Sequence, residues 1–207
     1  MKILRVTCCL FVLMLSLVAF AFSTTTPRAH AAGSGSTTVF RFHGISAFAF
    51  FDNVSSDGCI DTSVDVDGTQ NGTSSEADVF IGKFDNCMGT PLLLAFGSTF
   101  NPDFQVSNKL ASASLSATIS VFDDVSSTTF NVSVNTTWTA TGPLSHEIQS
   151  FHFQTKGFID NFHLNAAFRD AGASGTVSDG TTNFTPSPSL FAQIASVKSG
   201  EVTITHS

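Results

Sequence analysis

The residues best able to do chemistry fall into three groups, and the first is acidic. Asp61, Asp65, Asp67 and Asn71 stand in DTSVDVDGTQN, with carboxylates closely spaced beside a glycine. Calcium takes about six to eight oxygen ligands, and a glycine-containing turn carrying neighbouring carboxylates supplies several of them. Calcium is therefore the one cofactor these residues suggest. The bidentate glutamate that completes an EF-hand loop is missing and no helix flanks the stretch, so a solvated hairpin tip accounts for the same residues.

The second group lies in SHEIQSFHFQTKGFIDNFHLNAAFRD. His152, Gln154 and Lys156 share one parity, and beyond Gly157 the residues His163, Asn165 and Arg169 share the polar parity of the next run. Two antiparallel strands would bring these onto one face, a polar patch suited to an anionic or hydrogen-bonding ligand. Ordinary solvent-facing strand residues have the same pattern. His146-Glu147 opens like the H-E-x-x-H of zinc proteases, but Ser150 occupies the second histidine position and the segment alternates as a strand.

Nucleophilic catalysis is the third possibility, and it has the least support. The chain contains no G-x-S-x-G, no glycine-rich phosphate loop and no free thiol beside a histidine. Ser-His-Asp triads assemble from distant positions, and among so many serines none stands out.

The elements that must position these groups are legible first in residues 115–138. Leu115, Ala117, Ile119 and Val121 alternate with Ser116, Thr118 and Ser120; after FDDVSS, Phe130, Val132, Val134, Thr136 and Trp138 alternate with Thr129, Asn131, Ser133, Asn135 and Thr137. A period of two puts every second side chain on one face, so the pair reads as a half-buried hairpin. FDNVSS at 51–56 matches FDDVSS at 122–127, and IDTSVDV at 60–66 matches FNVSVNT at 130–136. This pattern predicts an internal duplication of two halves of about 70 residues, packed into one domain. No stretch keeps a 3.6-residue period. The fold class is all-β, an antiparallel sandwich or closed barrel of about 8–10 strands.

Export is written at the start of the chain. Lys2 and Arg5 precede an apolar run over residues 8–22, and Ala29-His30-Ala31 follows as an A-x-A cleavage site. This is the layout of a signal peptide over residues 1–31, too short in its apolar run to span a bilayer. A flexible leader is expected over 32–38, then one domain over 39–207, divided into halves at 39–109 and 110–207. Nothing later in the chain is long and apolar enough to be a transmembrane anchor. After processing, six cations face all sixteen acids, a net charge of −10. Nucleic acid and anionic membrane surfaces are poor partners for such a chain.

Cys59 and Cys87 survive processing, and an even count in an exported chain predicts a disulfide. Cys59 opens one expected strand and Cys87 closes the next, so antiparallel neighbours would bring them together. Nineteen of the twenty-two phenylalanines lie beyond residue 31, tyrosine is absent and Trp138 is the sole tryptophan. Phenylalanine buries area without a polar group to satisfy, so most are expected in the core, with a Phe-lined cavity as the functional alternative. Together these residues predict a secreted extracellular binding or structural module without catalytic activity, whose ligand or surface partner the sequence does not name. The alternatives are an extracellular hydrolase with an unrecognised site, and a barrel that carries an apolar small ligand.

Overall fold

The computed structural model describes residues 30–32, 35–155, 158–185 and 188–206. Residues 1–29, and with them the basic and apolar parts of the expected signal peptide, lie outside the described residues. The elements are β1 (His30–Ala32), β2 (Gly35–Val54), β3 (Ile60–Asn71), β4 (Ser74–Asp85), β5 (Thr90–Phe100), β6 (Asp103–Val106), β7 (Ser112–Asp123), β8 (Thr128–Ala140), β9 (Ser145–Thr155), β10 (Phe158–Ser178) and β11 (Phe191–His206). The all-β class is correct. The expected leader is partly strand, because Gly35, Ser36 and Thr37 pair with Ala32, Ala31 and His30.

Two compact units divide the chain. The larger comprises Gly44–His146 and Ala167–Ser196. Its strands pair in the sequence β2, β3, β4, β5, β7, β8, β10, β11 and back to β2, a hydrogen-bonded ring of eight. This ring-like pairing lies within the expected class of antiparallel sandwich or barrel. Closure removes the unpaired edges that an open sheet would leave exposed.

An eight-stranded ring is just wide enough for its own side chains to fill. Its interior holds Ala47, Ala49 and Phe51 of β2, Val64 and Val66 of β3, Ala77, Val79 and Ile81 of β4, and Ala95 of β5. Opposite them stand Leu115, Ile119 and Val121 of β7, Val132, Val134 and Trp138 of β8, Ala173 and Val177 of β10, and Ile194 of β11. Trp138 is fully buried, and its Nε1–H donates to the carbonyl of Phe48 at 2.9 Å. That bond satisfies the indole while tying β8 to β2, which is not its neighbour in the ring. Phe104 of β6 covers Gly68, where an added Cβ would fall 2.6 Å from the ring, so only glycine leaves room there. Phe184 joins the same core from residues 178–185.

The hairpin that dominates the sequence forms as expected. β7 and β8 pair Ile119 with Val132 and Ala117 with Val134, while Asn131, Ser133 and Asn135 are exposed. The fold does not show the duplication: Val64 and Val66 are buried like Val134 and Thr136, but the FDNVSS and FDDVSS motifs differ in register. Phe51 is buried, whereas Phe122 of the matching motif is exposed. Phe51 pairs with Val64, but Phe122 pairs with Thr129, so the two motifs sit in different registers and present opposite faces. Turn geometry fixes register, and a six-residue match across a turn does not.

Most phenylalanines are not in the core. Phe42, Phe51, Phe104 and Phe184 are buried, while Phe80, Phe84, Phe96, Phe100, Phe122, Phe151 and Phe153 are exposed. A ring of this size fills with alanine and β-branched residues and leaves little room for more aromatic side chains.

The smaller unit takes its described residues from the chain before Gly44, from Glu147–Ala166 and from Val197 onward. Phe42, Leu164 and Ala166 form its core with Phe162, Val197 and Val202, and the Phe42 ring lies directly against Gly200. Arg41 Nε and Glu201 Oε2 form an exposed ion pair at 2.7 Å, a contact worth little in water. Gly44, with φ of 144°, supplies a backbone conformation in β2 that side chains disfavour.

Cys59 and Cys87 form the expected disulfide, with Cα atoms 5.0 Å apart. They bracket β3 and β4, and Asn86 N–H donates to the Cys59 carbonyl at 2.7 Å, so the bridge closes the open end of that hairpin. Replacing both with serine is expected to lower stability by about 2–4 kcal/mol, because the reduced chain regains the freedom that the bridge removes. Urea titration followed by Trp138 fluorescence measures this, and an unchanged midpoint would show that the strand ladder alone holds the hairpin.

Candidate functional site

The histidines expected to share a face do so within the smaller unit. Ser150 Oγ lies 3.0 Å from His163 Nδ1, and His152 Nδ1 lies 2.6 Å from Asn161 Oδ1. Both pairs are exposed cross-strand contacts between β9 and β10, and Gln154 is exposed on the same strand. Asn165 is half-buried there. Lys156 lies outside the described residues. Arg169 belongs to the barrel unit, where its Nε is buried without a hydrogen-bond partner. Of the six residues expected as one patch, His152, Gln154, His163 and Asn165 belong to the smaller unit and Arg169 to the larger. His163 meets a serine with no carboxylate among its described hydrogen bonds, two members of a triad rather than three.

The acidic stretch is strand rather than tip. Asp61, Asp65, Asp67 and Asn71 all lie in β3, whose turn begins only at Gly72. At roughly 3.3 Å per residue, Asp61 and Asn71 are about 33 Å apart, so the four do not converge on one ion. Among the described residues no group of three or more His, Cys, Asp or Glu is placed to hold a metal ion.

Register brings these acids beside partners that the chain order conceals. Val64 and Val66 face the barrel interior, so Asp61, Asp65 and Asp67 face outward. Asp65 stands between Phe50 of β2 and Phe80 of β4, Phe80 pairs with Phe96 of β5, and Phe96 pairs with Phe122 of β7. Phe96 and Phe122 meet edge to face, with centroids 6.3 Å apart. One row along, Asp67 stands between Phe48 and Asp78, and Asp78 pairs with Ser98. The row beyond places Glu76 beside Phe100. The outer wall of the barrel is thus a mosaic of carboxylates and aromatic rings.

Electrostatics set this face apart. Burial pushes the Asp65 carboxyl up to about 6. Asp78 is also pushed up to about 6, by burial and then by the charge of Glu76. Asp67 is raised well above the ordinary carboxylate range by burial and by Asp78, Asp65 and Glu76 in turn, against one opposing hydrogen bond from the Gly68 backbone. Its Oδ1 is shielded from solvent and has no partner. Asp52 is raised by burial and by neighbouring Asp61. The one ion pair among the described residues is Arg41 with Glu201, and both belong to the other unit. Asp123, the last residue of β7, has the opposite fate. Burial opposes its ionisation, but hydrogen bonds from Ser126 Oγ and the Leu94, Val125 and Ser126 backbone amides outweigh that and lower its pKa.

A second feature lies at the Cys59 end of the barrel. Two adjoining clefts of about 620 and 220 Å³ share Lys83, Thr182 and Phe184 in their lining. Lys83 has the parity of Val79 and Ile81, so it stands at the inner rim of the mouth. Asn131 and Asp179 line the larger cleft; Asn53 and Thr62 line the smaller.

Neither protein-family models, nor curated proteins, nor solved structures give a match to this chain.

The raised carboxyls fix a sign for the pH dependence of stability. A carboxyl whose pKa is higher folded than unfolded holds its proton more tightly in the folded state, so stability rises as pH falls from about 7 to about 5. Below about 4 the trend reverses, as Asp57, Asp123 and Asp179, all lowered by hydrogen bonds, lose their charge. Thermal melts should therefore peak near pH 5, and Asp78→Asn should flatten the decline as pH rises from 5 to 7. A melting temperature that falls steadily from pH 7 to pH 5 would contradict the assignment.

Proposed function

We propose that this protein is an exported, non-catalytic binding module whose contact surface is the outer wall of β3, β4, β5 and β7. The observation that carries the reading is the paired row Phe80, Phe96 and Phe122, exposed on three adjacent strands and flanked by carboxylates. Exposed aromatic patches on soluble proteins mark interaction sites, and this row contributes nothing to the packed interior. Export rests on the N-terminal basic and apolar residues, on the acidic charge and on the Cys59–Cys87 disulfide. No helix of the described residues is long and apolar enough to cross a membrane. The reading assigns no cofactor. An apolar ligand carried inside the barrel gains no support from an interior filled by its own side chains.

An extracellular hydrolase is the second reading, favoured by the 3.0 Å contact between Ser150 and His163. Panels of ester, peptide and polysaccharide substrates separate the two. The binding module turns over none of them, whereas turnover abolished by both Ser150→Ala and His163→Ala would establish the hydrolase.

The contact surface has its own test. Phe96→Ser combined with Phe122→Ser should change the unfolding free energy by less than about 1 kcal/mol, as expected of surface positions away from the core. A loss of about 3 kcal/mol or more would make the row structural and remove the basis for the reading.

A further inference from the structure

We propose that the outer wall takes an arginine- or lysine-bearing segment of a partner protein, with the cationic head group at Asp65, Asp67 and Asp78 and its methylene stem against Phe80 and Phe96. The inference rests on the binding-surface reading above and names the chemistry of its partner.

Charge complementarity carries the argument. Asp67 and Asp78 are directly paired across β3 and β4, where side chains stand about 5 Å apart, and Asp65 and Glu76 flank them. Like charges in that arrangement repel, yet no cation of the described residues forms an ion pair with them. Asp67 Oδ1 is shielded from solvent and has no hydrogen-bond partner among the described residues, so the acceptor is left unsatisfied by the chain itself. A guanidinium presents several donors in one plane and fits two neighbouring carboxylates.

The rings fit the same guest. Arginine and lysine lay an apolar stem along hydrophobic surface while the charged head stays on polar groups, and a cation near an aromatic face is attracted to it. Phe80 and Phe96 are one row from Asp78, and Phe50 and Phe80 bracket Asp65. The surface is an open wall of strands, so a small free cation would bury little area on it. A partner segment lying across β3 to β7 would cover the aromatic row as well, and arginine is enriched at such interfaces.

The probe is a ten-residue peptide of alternating arginine and leucine, with citrulline and glutamate versions as controls, titrated against the full processed chain at pH 7.5 and 150 mM salt. The arginine peptide should bind at least tenfold more tightly than the citrulline peptide, which keeps the shape and loses the charge. Affinity should fall about tenfold at pH 5, because the carboxylates facing the cation take up protons. Those held above the ordinary carboxylate range are Asp52 of β2, Asp65 and Asp67 of β3 and Asp78 of β4; Asp61 and Glu76 share the face, and the outward positions of β5 and β7 hold no titratable group. Asp67→Asn with Asp78→Asn should abolish the preference without lowering the melting temperature. Asp124→Asn with Asp170→Asn removes the same charge at exposed positions elsewhere and should leave affinity within about twofold.

Equal weakening by both pairs of substitutions would show general attraction to an acidic protein and overturn the proposal. Equal binding of the arginine and citrulline peptides would overturn the cationic partner while leaving the contact surface standing. Binding of none of the peptides overturns the proposal, and if the Phe96 and Phe122 substitutions also unfold the protein, the surface falls with it.

Discussion

Closure of the eight-stranded ring is the constraint from which the rest follows. A ring satisfies backbone donors and acceptors strand to strand, and so leaves the eight ring strands fewer unpaired edges than an open sheet would. It also fixes the volume inside. Alanine, valine and isoleucine fill that volume, with Trp138 reaching across to the Phe48 carbonyl and Phe104 packed over Gly68. Each inward position therefore has an outward neighbour that the fold does not constrain, and the outward set is where the chain departs from ordinary surface composition.

That departure is concentrated on one side. Along β8 the outward residues are Thr129, Asn131, Ser133, Asn135 and Thr137, hydroxyls and amides that water solvates without cost. On β3, β4 and β5 the outward residues include five carboxylates, Asp61, Asp65, Asp67, Glu76 and Asp78, and four phenylalanines, Phe80, Phe84, Phe96 and Phe100. Burial raises the pKa values of Asp65, Asp67 and Asp78, with neighbouring carboxylates adding to the shifts of Asp67 and Asp78, and the acids interrupt the apolar patch. Neither group serves the stability of the isolated barrel: shielded carboxylates cost desolvation, and exposed rings cost hydration. A contact surface explains both, since a cationic partner would relieve the repulsion and cover the rings.

What was legible in the sequence was whatever depends on alternation or on neighbours along the chain. The facing of Val132 and Val134 against Asn131 and Ser133 is written in a period of two, and the Cys59–Cys87 bridge follows from two strands joined by one turn. Barrel closure was not legible, because the pairing of β2 with β11 joins opposite ends of the chain. Phe51 and Phe122 sit in similar motifs, and composition alone could not show that one faces in and the other out. The acids read along the chain as a candidate calcium loop, but their partners Phe80, Asp78 and Phe96 come from strands whose register the sequence does not reveal. The Ser150–His163 and His152–Asn161 contacts are legible, since reflecting the sequence about Lys156-Gly157 pairs both sets.

The most direct measurement is a carbon-detected NMR titration of the aspartate side-chain carboxyls in the folded protein. Asp65 and Asp78 should titrate near pH 6, and Asp67 well above the ordinary range, while Asp123 and Asp179 titrate below it. If Asp65, Asp67 and Asp78 all titrate near pH 4 as free carboxylates do, water reaches them freely and the outer wall is no shielded mosaic.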